Sequence, residues 1–517
     1  MQIISESTAY TGRLVLQTDN AADKITVQNY CVGASPVKNS NNEWSVADTL
    51  VNRVSLGLPI DKWLRKPLHK VRGTLKDFKG LDNRLTEYQV KDVTKLLSLR
   101  YAFNANPMGY GKTVEACIWA KEIQADKILI ICPKVSKKQW ALEVSKWLRD
   151  DITPQISPKY IPADTSKCIV ITNYEQLINY QVLTSYKSIR WDCIILDEAH
   201  RIKNAKARTT QAIKSLPALN KMCLSGTPIL NKVDNLWSTC QFLNEKYFGN
   251  TYWGFVHVFC EVEDTFWGKK IKGIKKDDRA QQLLKDTLSL FMVRNPEGFV
   301  GNGIGEYNVT LEMYPAQKSL YHKVLTLAIE ELLKYDITVA NGMSQLIRMQ
   351  QIASNPGKFD DIPNVKFEWI RDLLVDNPEE KILVFSKFKE TILALNRYLQ
   401  EGRIPVATIH GDVSEHDREV AKQKFTGNPE IRVLTGTLGA ISESIDGLQK
   451  VCHIGIFIDR EWNPEDNNQA IGRLYRYLQD KFVERYNLVC EGTVDEKVGK
   501  VNIEKIEDIK AVLGVSE

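Results

Sequence analysis

Two glycines, a lysine and a threonine stand together in ANPMGYGKTVEAC, from Ala105 to Cys117, after an apolar run and ahead of a helix-like segment. Gly109 and Gly111 let backbone N–H groups approach an anion, and the N-terminus of the helix adds a favourable dipole. Lys112 is then placed for β- and γ-phosphates and Thr113 for Mg2+. The spacing departs from the strict pattern, which asks for glycine where Asn106 stands. Alone, the stretch is also compatible with a plain strand–turn–helix.

Other residues add to this chemistry. IILDEAH, from Ile194 to His200, runs an apolar strand into two carboxylates. Beside a phosphate loop, Asp197 would hold Mg2+ and Glu198 would orient or deprotonate an attacking water. Without such a loop they are surface acids at the start of a helix. SGTP, from Ser225 to Pro228, ends another strand with the hydroxyls of Ser225 and Thr227. Hydroxyls there can bond to Asp197 and Glu198 and sense a γ-phosphate. In NNQAIGRLYRYLQ, Arg473 and Arg476 are three apart and are predicted to share one helix face. An arginine brought from another domain against a transferring phosphate raises its rate about 10³–10⁵-fold; a salt-bridged helix is the alternative. Gln89, in RLTEYQVKDV, falls just before the phosphate-loop strand, where its amide can read an adenine edge.

Such residues need a scaffold that collects strand ends. From about Leu81 apolar strands alternate with amphipathic helices, the pattern of a parallel α/β sheet. Lys127–Pro133, Cys168–Asn173, Trp191–His200 and Lys221–Pro228 read as its strands, and functional groups collect where such strands end. From Asp234 to Asn364 longer helical patterns take over at Gln281–Phe291, Ala316–Lys334 and Met343–Ile352, around a basic insert at Trp267–Arg279. A second alternation follows, with strands at Lys381–Ser386, Val406–Gly411, Ile431–Gly436 and His453–Asp459. The expected organisation is an accessory module over residues 1–75, an α/β lobe over 76–233, a helical insertion over 234–364 and a second lobe over 365–517.

The module itself reads as α+β or β-rich. Arg13–Thr18 and Lys24–Gly33 are predicted strands, and a helix is predicted from about Ser45 to Leu56. It ends in a basic stretch, Lys62 to Lys79, with Trp63 inside it. This is either a solvated linker or an arm for nucleic-acid phosphates.

The composition is that of a soluble globular protein, with 517 residues, 43% hydrophobic and 26% charged. No apolar run approaches the roughly 20 residues that span a bilayer, so no membrane partner is expected. The N-terminus MQIISESTAYTGR lacks the basic start and apolar core of a secretory signal. The ten cysteines are scattered without a C-x-x-C pair, which points to a reducing compartment and no structural zinc. A net charge of only +5 leaves nucleic-acid affinity to local patches.

In this order the motifs resemble the superfamily-two nucleic-acid motor ATPases, and among them the Swi/Snf-type double-stranded DNA translocases. The resemblance covers about residues 80–500. It rests on EYQVKDV, MGYGKT, ICPKVSKKQW, ITNYEQL, LDEAHRIKN, LSGTPILN and NLWSTCQFLNEKYFG in the first lobe. In the second it rests on ILVFSKF, IHGDVSEHDR, the Gln469–Arg473–Arg476 helix and GTVDEKV. The segment between the lobes is most similar to that of the compact, fork-remodelling branch.

The resemblance implies two RecA-like lobes with ATP and Mg2+ between them, Gln469 on the nucleotide side, and movement along duplex or branched DNA. It also implies phosphate-tracking contacts from Lys134, Thr172, Lys203, Asn204 and the insert lysines Lys269, Lys270, Lys272, Lys275 and Lys276. No segment reads as a strand-splitting pin.

Three departures stand out: Asn106 and Pro107 replace two acids usual in the family, Tyr475 replaces a histidine, and TGTLGAISESIDGL keeps little of a glycine-rich block. A strand-separating helicase, an RNA-directed motor and a nucleotide-gated loading protein are the competing readings. A replication or repair protein is an expected partner of residues 1–75. The chain is expected to act as a monomer, without chromatin-reading domains, in the cytoplasm of a bacterial or phage-infected cell, or in a nucleus if eukaryotic.

Overall fold

The computed structural model describes residues 2–6, 13–18, 20–32, 34–37, 43–58, 60, 85–107, 109–148, 152–226, 233–265, 268–295, 303–334, 339–444, 447–476 and 479–502. The basic stretch from Lys62 to Lys79 lies outside them, as does Thr227. The chain forms two compact units, Met1–Pro107 with Gly111–Gly298, and Phe299–Ile506 with Met108–Tyr110.

The first unit begins with strands β1 (Gln2–Glu6), β2 (Arg13–Gln17), β3 (Ser35–Pro36) and β4 (Glu43–Ala47), which form an antiparallel sheet in the order β1-β2-β4-β3. Lys24–Gly33 is not a strand, because helix Ala21–Tyr30 occupies most of it. The run Ile25-Thr26-Val27 is β-branched and favours a strand locally. The side chain of Asn20 instead accepts from Asp23 N and caps a helix. That helix docks on later sequence: Tyr30 Oη donates to Asp277 at 2.9 Å and the Arg279 guanidinium lies over the Tyr30 ring. The helix predicted from Ser45 is likewise shorter, since β4 takes its first residues and helix Leu50–Ser55 starts at the Thr49 cap. Leu50 and Val51 are fully buried in the main core of the unit, and their backbone N–H groups donate to Lys246 O and Tyr247 O. The module is therefore built into the lobe.

That core surrounds a parallel sheet. Its strands are β5 (Tyr101–Asn104), β6 (Lys127–Cys132), β7 (Gln155–Ile156), β8 (Cys168–Asn173), β9 (Trp191–Asp197), β10 (Ala218–Leu224) and, beyond a hairpin, β13 (Met292–Val293). Their order is β13-β5-β10-β9-β6-β8-β7. The central strands are buried on both faces, so they read as continuous apolar runs and their prediction from sequence holds. The hairpin, β11 (Cys260–Thr265) and β12 (Gly268–Ile274), was legible only as a basic insert.

The second unit holds another parallel sheet. Its strands are β14 (Ile304–Leu311), β15 (Ile382–Ser386), β16 (Val406–Ile409), β17 (Val433–Thr437), β18 (Ile454–Phe457) and β19 (Val483–Cys490), in the order β14-β19-β18-β15-β17-β16. Along β15, Leu383 and Phe385 enter one apolar cluster while Ile382 and Val384 enter another, which is the alternation of a strand covered on both faces. β14 comes from the segment read as a helical insertion. Its half-exposed pattern carries no buried-strand signature, and only pairing with β19 makes it a strand. Residues 234–364 thus divide between the two units, and helices Pro315–Lys334 and Val339–Ser354 belong to the second. Fully buried Lys366 donates to Asp495 Oδ2 at 2.7 Å and to Ile458 O at 2.6 Å, tying helix Val365–Asp376 to the GTVDEKV segment.

Two stability predictions follow from these anchors. Leu50→Ala should cost about 2–5 kcal/mol in urea unfolding of the full chain, because a methylene-rich side chain leaves a packed core. Lys366→Met should cost about 3–5 kcal/mol, since Asp495 is left as an uncompensated buried charge. A loss under about 1 kcal/mol in either variant would contradict the corresponding packing.

Candidate active site

Three strands of the first unit end level with one another. Leu224 of β10 pairs with Asn104 of β5 on one side and with Asp197 of β9 on the other. With strands about 4.8 Å apart, the phosphate loop, the Ser225 turn and the Asp197–Glu198 pair leave the sheet at one edge. This is the carboxyl edge, where open α/β sheets bind ligands.

The loop after β5 turns through Gly109 at φ +77° and Gly111 at φ +82°, the left-handed region that glycine enters without strain. Gly111 also caps helix Lys112–Glu122. A Cβ on it would collide with Gln89 Nε2, so the glutamine amide packs directly on the loop. Gln89 also closes a capping box on helix Glu87–Leu97: its Oε1 accepts from Thr86 N at 3.0 Å. Lys112 Nζ donates to Asn106 O at 2.9 Å and Pro107 O at 3.0 Å. Desolvation pushes its ammonium pKa down, opposed by the charges of Glu198 and Asp197. Thr113 follows in the first turn of the helix.

The two carboxylates are held by residues from other blocks. Asp197 Oδ2 accepts from Trp140 Nε1 at 2.8 Å, and Asp197 O accepts from Tyr174 Oη at 2.5 Å. Desolvation, and then the adjacent Glu198, pushes the Asp197 carboxyl up to about 6. Glu198 adopts φ +52° and ψ +53°, a left-handed conformation uncommon for a side-chain-bearing residue and concentrated at functional sites. His200 Nδ1 lies 3.2 Å from Glu198 Oε2 and 3.3 Å from Ser225 Oγ. The link from Ser225 to Glu198 therefore runs through an imidazole, a step the motif did not disclose.

A paired, desolvated set of carboxylates beside a lysine suits a divalent cation. Among the described residues no group of three or more His, Cys, Asp or Glu is set to hold a metal. Mg2+ ordinarily takes one or two protein oxygens and completes its shell with phosphate and water. Asp197, a desolvated carboxylate at the sheet edge, suits that requirement by its chemistry, and Thr113 stands in the first turn of the helix after the loop.

In the second unit, helix Pro464–Ile471 carries Gln469 but ends before both arginines. Arg473 and Arg476 lie in successive turns, with Arg473 N bonded to Ala470 O and Gln479 N to Arg476 O. The shared helix face predicted from their spacing is not formed. Gly472, the residue at the end of the helix, is a poor helix former. Arg473 Nη2 donates to Ser442 O, which anchors it to helix Leu438–Ser444.

The residues expected to touch DNA separate by exposure. Lys134, Lys203 and Asn204 are exposed in the first unit. Thr172 is fully buried inside β8 and its Oγ1 donates to Gln176 at 3.5 Å, so it offers no phosphate contact. Lys269, Lys270, Lys272 and Lys276 are exposed and Lys275 is half-buried. The partner strand of the hairpin is acidic: Lys270 pairs with Glu263 and Lys269 with Asp264, and Lys272 forms a 3.1 Å ion pair with Glu263. Much of the insert's charge is thereby balanced locally.

Sequence reasoning missed Trp140 and Tyr174, although both fall inside the quoted blocks. It also missed Asp92 and Glu115, which fall inside quoted blocks, and Asn104, Arg294 and Asn295, which carry no motif. Arg294 Nη1 donates to Ala105 O at 2.8 Å and to Gly226 O at 3.2 Å, bracing the phosphate loop against the Ser225 turn.

The SNF2-related domain matches residues 92–358, and the helicase conserved C-terminal domain matches residues 365–478. The protein YwqA of Bacillus subtilis is 28% identical over 84% of this chain and 48% of its own length. The uncharacterized ATP-dependent helicase YqhH of the same organism is 24% identical over 89% of this chain and 83% of its own length. The mouse DNA excision repair protein ERCC-6-like is 25% identical over 84% of this chain and 42% of its own length. The chain thus spans about half the length of the first of these relatives and less of the last. Among solved structures, the Sulfolobus solfataricus SWI2/SNF2 ATPase core in complex with dsDNA aligns with a TM-score of 0.40 at 23% identity, covering 84% of this chain and 98% of that one. By the match of more than half its length, and with its motifs at the carboxyl edge of a parallel sheet, the chain belongs to the SNF2-related family.

Proposed function

We propose that the chain is an ATP-driven DNA motor, a DNA-stimulated ATPase that translocates on duplex or forked DNA and remodels it in replication, repair or recombination. The observation that carries this reading is the convergence of Lys112, Asp197 and Glu198 at one sheet edge in a chain of this family. The backbone of the loop, the helix dipole and Lys112 would take the nucleotide phosphates. Thr113 and Asp197 would hold Mg2+, which supplies charge against the phosphoryl oxygens. Glu198, held in place by its backbone and by His200, is positioned to orient the attacking water. Arg473 and Arg476 would supply positive charge from the second unit.

DNA contact would fall to exposed Lys134, Lys203 and Asn204, with the hairpin lysines contributing a reduced net charge. Phosphate contacts of this kind give affinity without base specificity. Residues 1–75 serve first as a brace, an assignment supported by the burial of Leu50 and Val51; contact with a replication or repair protein would use their outer surface. The same reading has the protein act as a monomer in the cytoplasm of a bacterial or phage-infected cell.

A second reading, true strand separation, is favoured by the hairpin β11–β12. Its strand ends near Thr265 and Gly268 are exposed while its base at Cys260 and Ile274 is buried, so it projects from the lobe.

ATP turnover should rise with blunt duplex DNA and more weakly with single-stranded DNA or RNA. The motor should displace the third strand of a blunt triplex. Release of an annealed oligonucleotide from a fork would select the second reading, and turnover indifferent to any nucleic acid would sink both. Glu198→Gln should keep ATP affinity while losing about 10²–10⁴-fold in kcat, the usual worth of a positioned acid–base group. Full turnover by that variant would remove Glu198 from the mechanism.

A further inference from the structure

Asn106 is completely buried beneath the phosphate loop, at a position where the resembled family usually carries an acid. Its Nδ2 donates to Asp92 Oδ2 at 2.7 Å and to Glu115 Oε2 at 3.3 Å. Its Oδ1 accepts from Asn295 N at 2.9 Å. Asp92 is also bound by Asn295 Nδ2 at 3.2 Å, and Glu115 Oε2 by Asn104 Nδ2. The carboxamide thus uses both donors and its acceptor at once.

The backbone of the same residue continues the chain of contacts. Asn106 O and Pro107 O are the acceptors of Lys112 Nζ. A path of hydrogen bonds therefore runs from helix Glu87–Leu97 and from Asn295, through one carboxamide, to the lysine of the loop. An aspartate at 106 would still accept from Asn295 N. It would also lose both donated bonds and set a third carboxylate against two buried ones, and buried polar groups left without partners are costly. Asn106 is the complement of Asp92 and Glu115.

We propose that Asn106 is a positioning residue of the phosphate loop, its carboxamide matched to Asp92 and Glu115 so that the carbonyls receiving Lys112 keep one place. The inference rests on the nucleotide site proposed above and adds a residue that no part of the loop motif requires.

The test is an exchange of the two groups. Affinity for a fluorescent ATP analogue with Mg2+ is measured on the full chain without DNA, with the melting temperature of every variant. Asn106→Asp should weaken binding about tenfold or more, and adding Asp92→Asn should recover about threefold or more of that loss, because the bond between positions 92 and 106 is re-formed in reverse while the bond to Glu115 is not. A residue needed only for folding would lower the melting temperature without pairwise rescue of affinity. Parent-like binding by Asn106→Asp, or a double variant no better than the single one, overturns the proposal. Should Asn106→Asp fail to fold, Asn295→Ala removes a donor to Asp92 at a half-buried position without adding charge. It should weaken binding about threefold at a melting temperature within a few degrees of the parent, and unchanged affinity overturns the proposal. A parent protein that binds no nucleotide defeats the site itself, whereas a parent that binds ATP but shows no exchange effect defeats only the role of Asn106.

Discussion

The structure of the site depends on strand register. β10 pairs in parallel with β5 and with β9 so that Asn104, Leu224 and Asp197 stand at one level. A slip of one residue would exchange the two faces of a strand and set its side chains against the wrong neighbours in a close-packed core. The phosphate loop, the paired carboxylates and the Ser225 turn come from separate stretches of the chain, with Lys112 and Ser225 more than a hundred positions apart, and the sheet brings them to one edge. The motif residues could be intact and inert without that alignment.

Gathering charge at a sheet edge has an electrostatic cost that neighbouring groups offset. Asp197 and Glu198 are adjacent acids in a desolvated place, and Lys112 is a desolvated ammonium between them and the loop. The two acids oppose each other's ionised form and Lys112 favours it, so a bound cation would relieve the acids and a bound phosphate would suit the lysine. Below the loop, burial drives the Glu115 carboxyl up to about 8 and raises Asp92 as well. Amides answer these acids there: Asn104, Asn106 and Asn295 donate to them without adding charge. The loop thus sits on a floor of buried acids and amides hydrogen-bonded to one another, while its upper side carries charge for a ligand.

Much of this architecture was legible in the chain. The apolar runs of β6, β8 and β9 are long enough and buried enough to announce a parallel sheet, and the order of motifs placed them in a family of two-lobed motors. The legible elements are those whose own residues carry the signal. Where a segment owes its structure to a partner, local pattern misled: Ile25-Thr26-Val27 favours a strand but becomes a helix through the Asn20 cap and docking near Asp277. β14 lacks a buried pattern and is a strand because β19 lies beside it. Arg473 and Arg476 have helical spacing, yet the helix stops at Ile471.

The sequence by itself determined the kind of chemistry, because Gly-Lys-Thr, Asp-Glu and Ser-Gly-Thr at strand ends are short-range patterns whose residue types already specify phosphate, cation and water. It also determined the departure at Asn106, but not its meaning. Only the tertiary structure decided that Asn106 faces Asp92 and Glu115, that Trp140 and Tyr174 hold Asp197, and that His200 stands between Glu198 and Ser225. The physical reason is that hydrogen bonds act over about 3 Å in space, whatever the distance along the chain. Asp92, Asn106 and Asn295 share no periodicity or motif and become one site only after the sheet has formed.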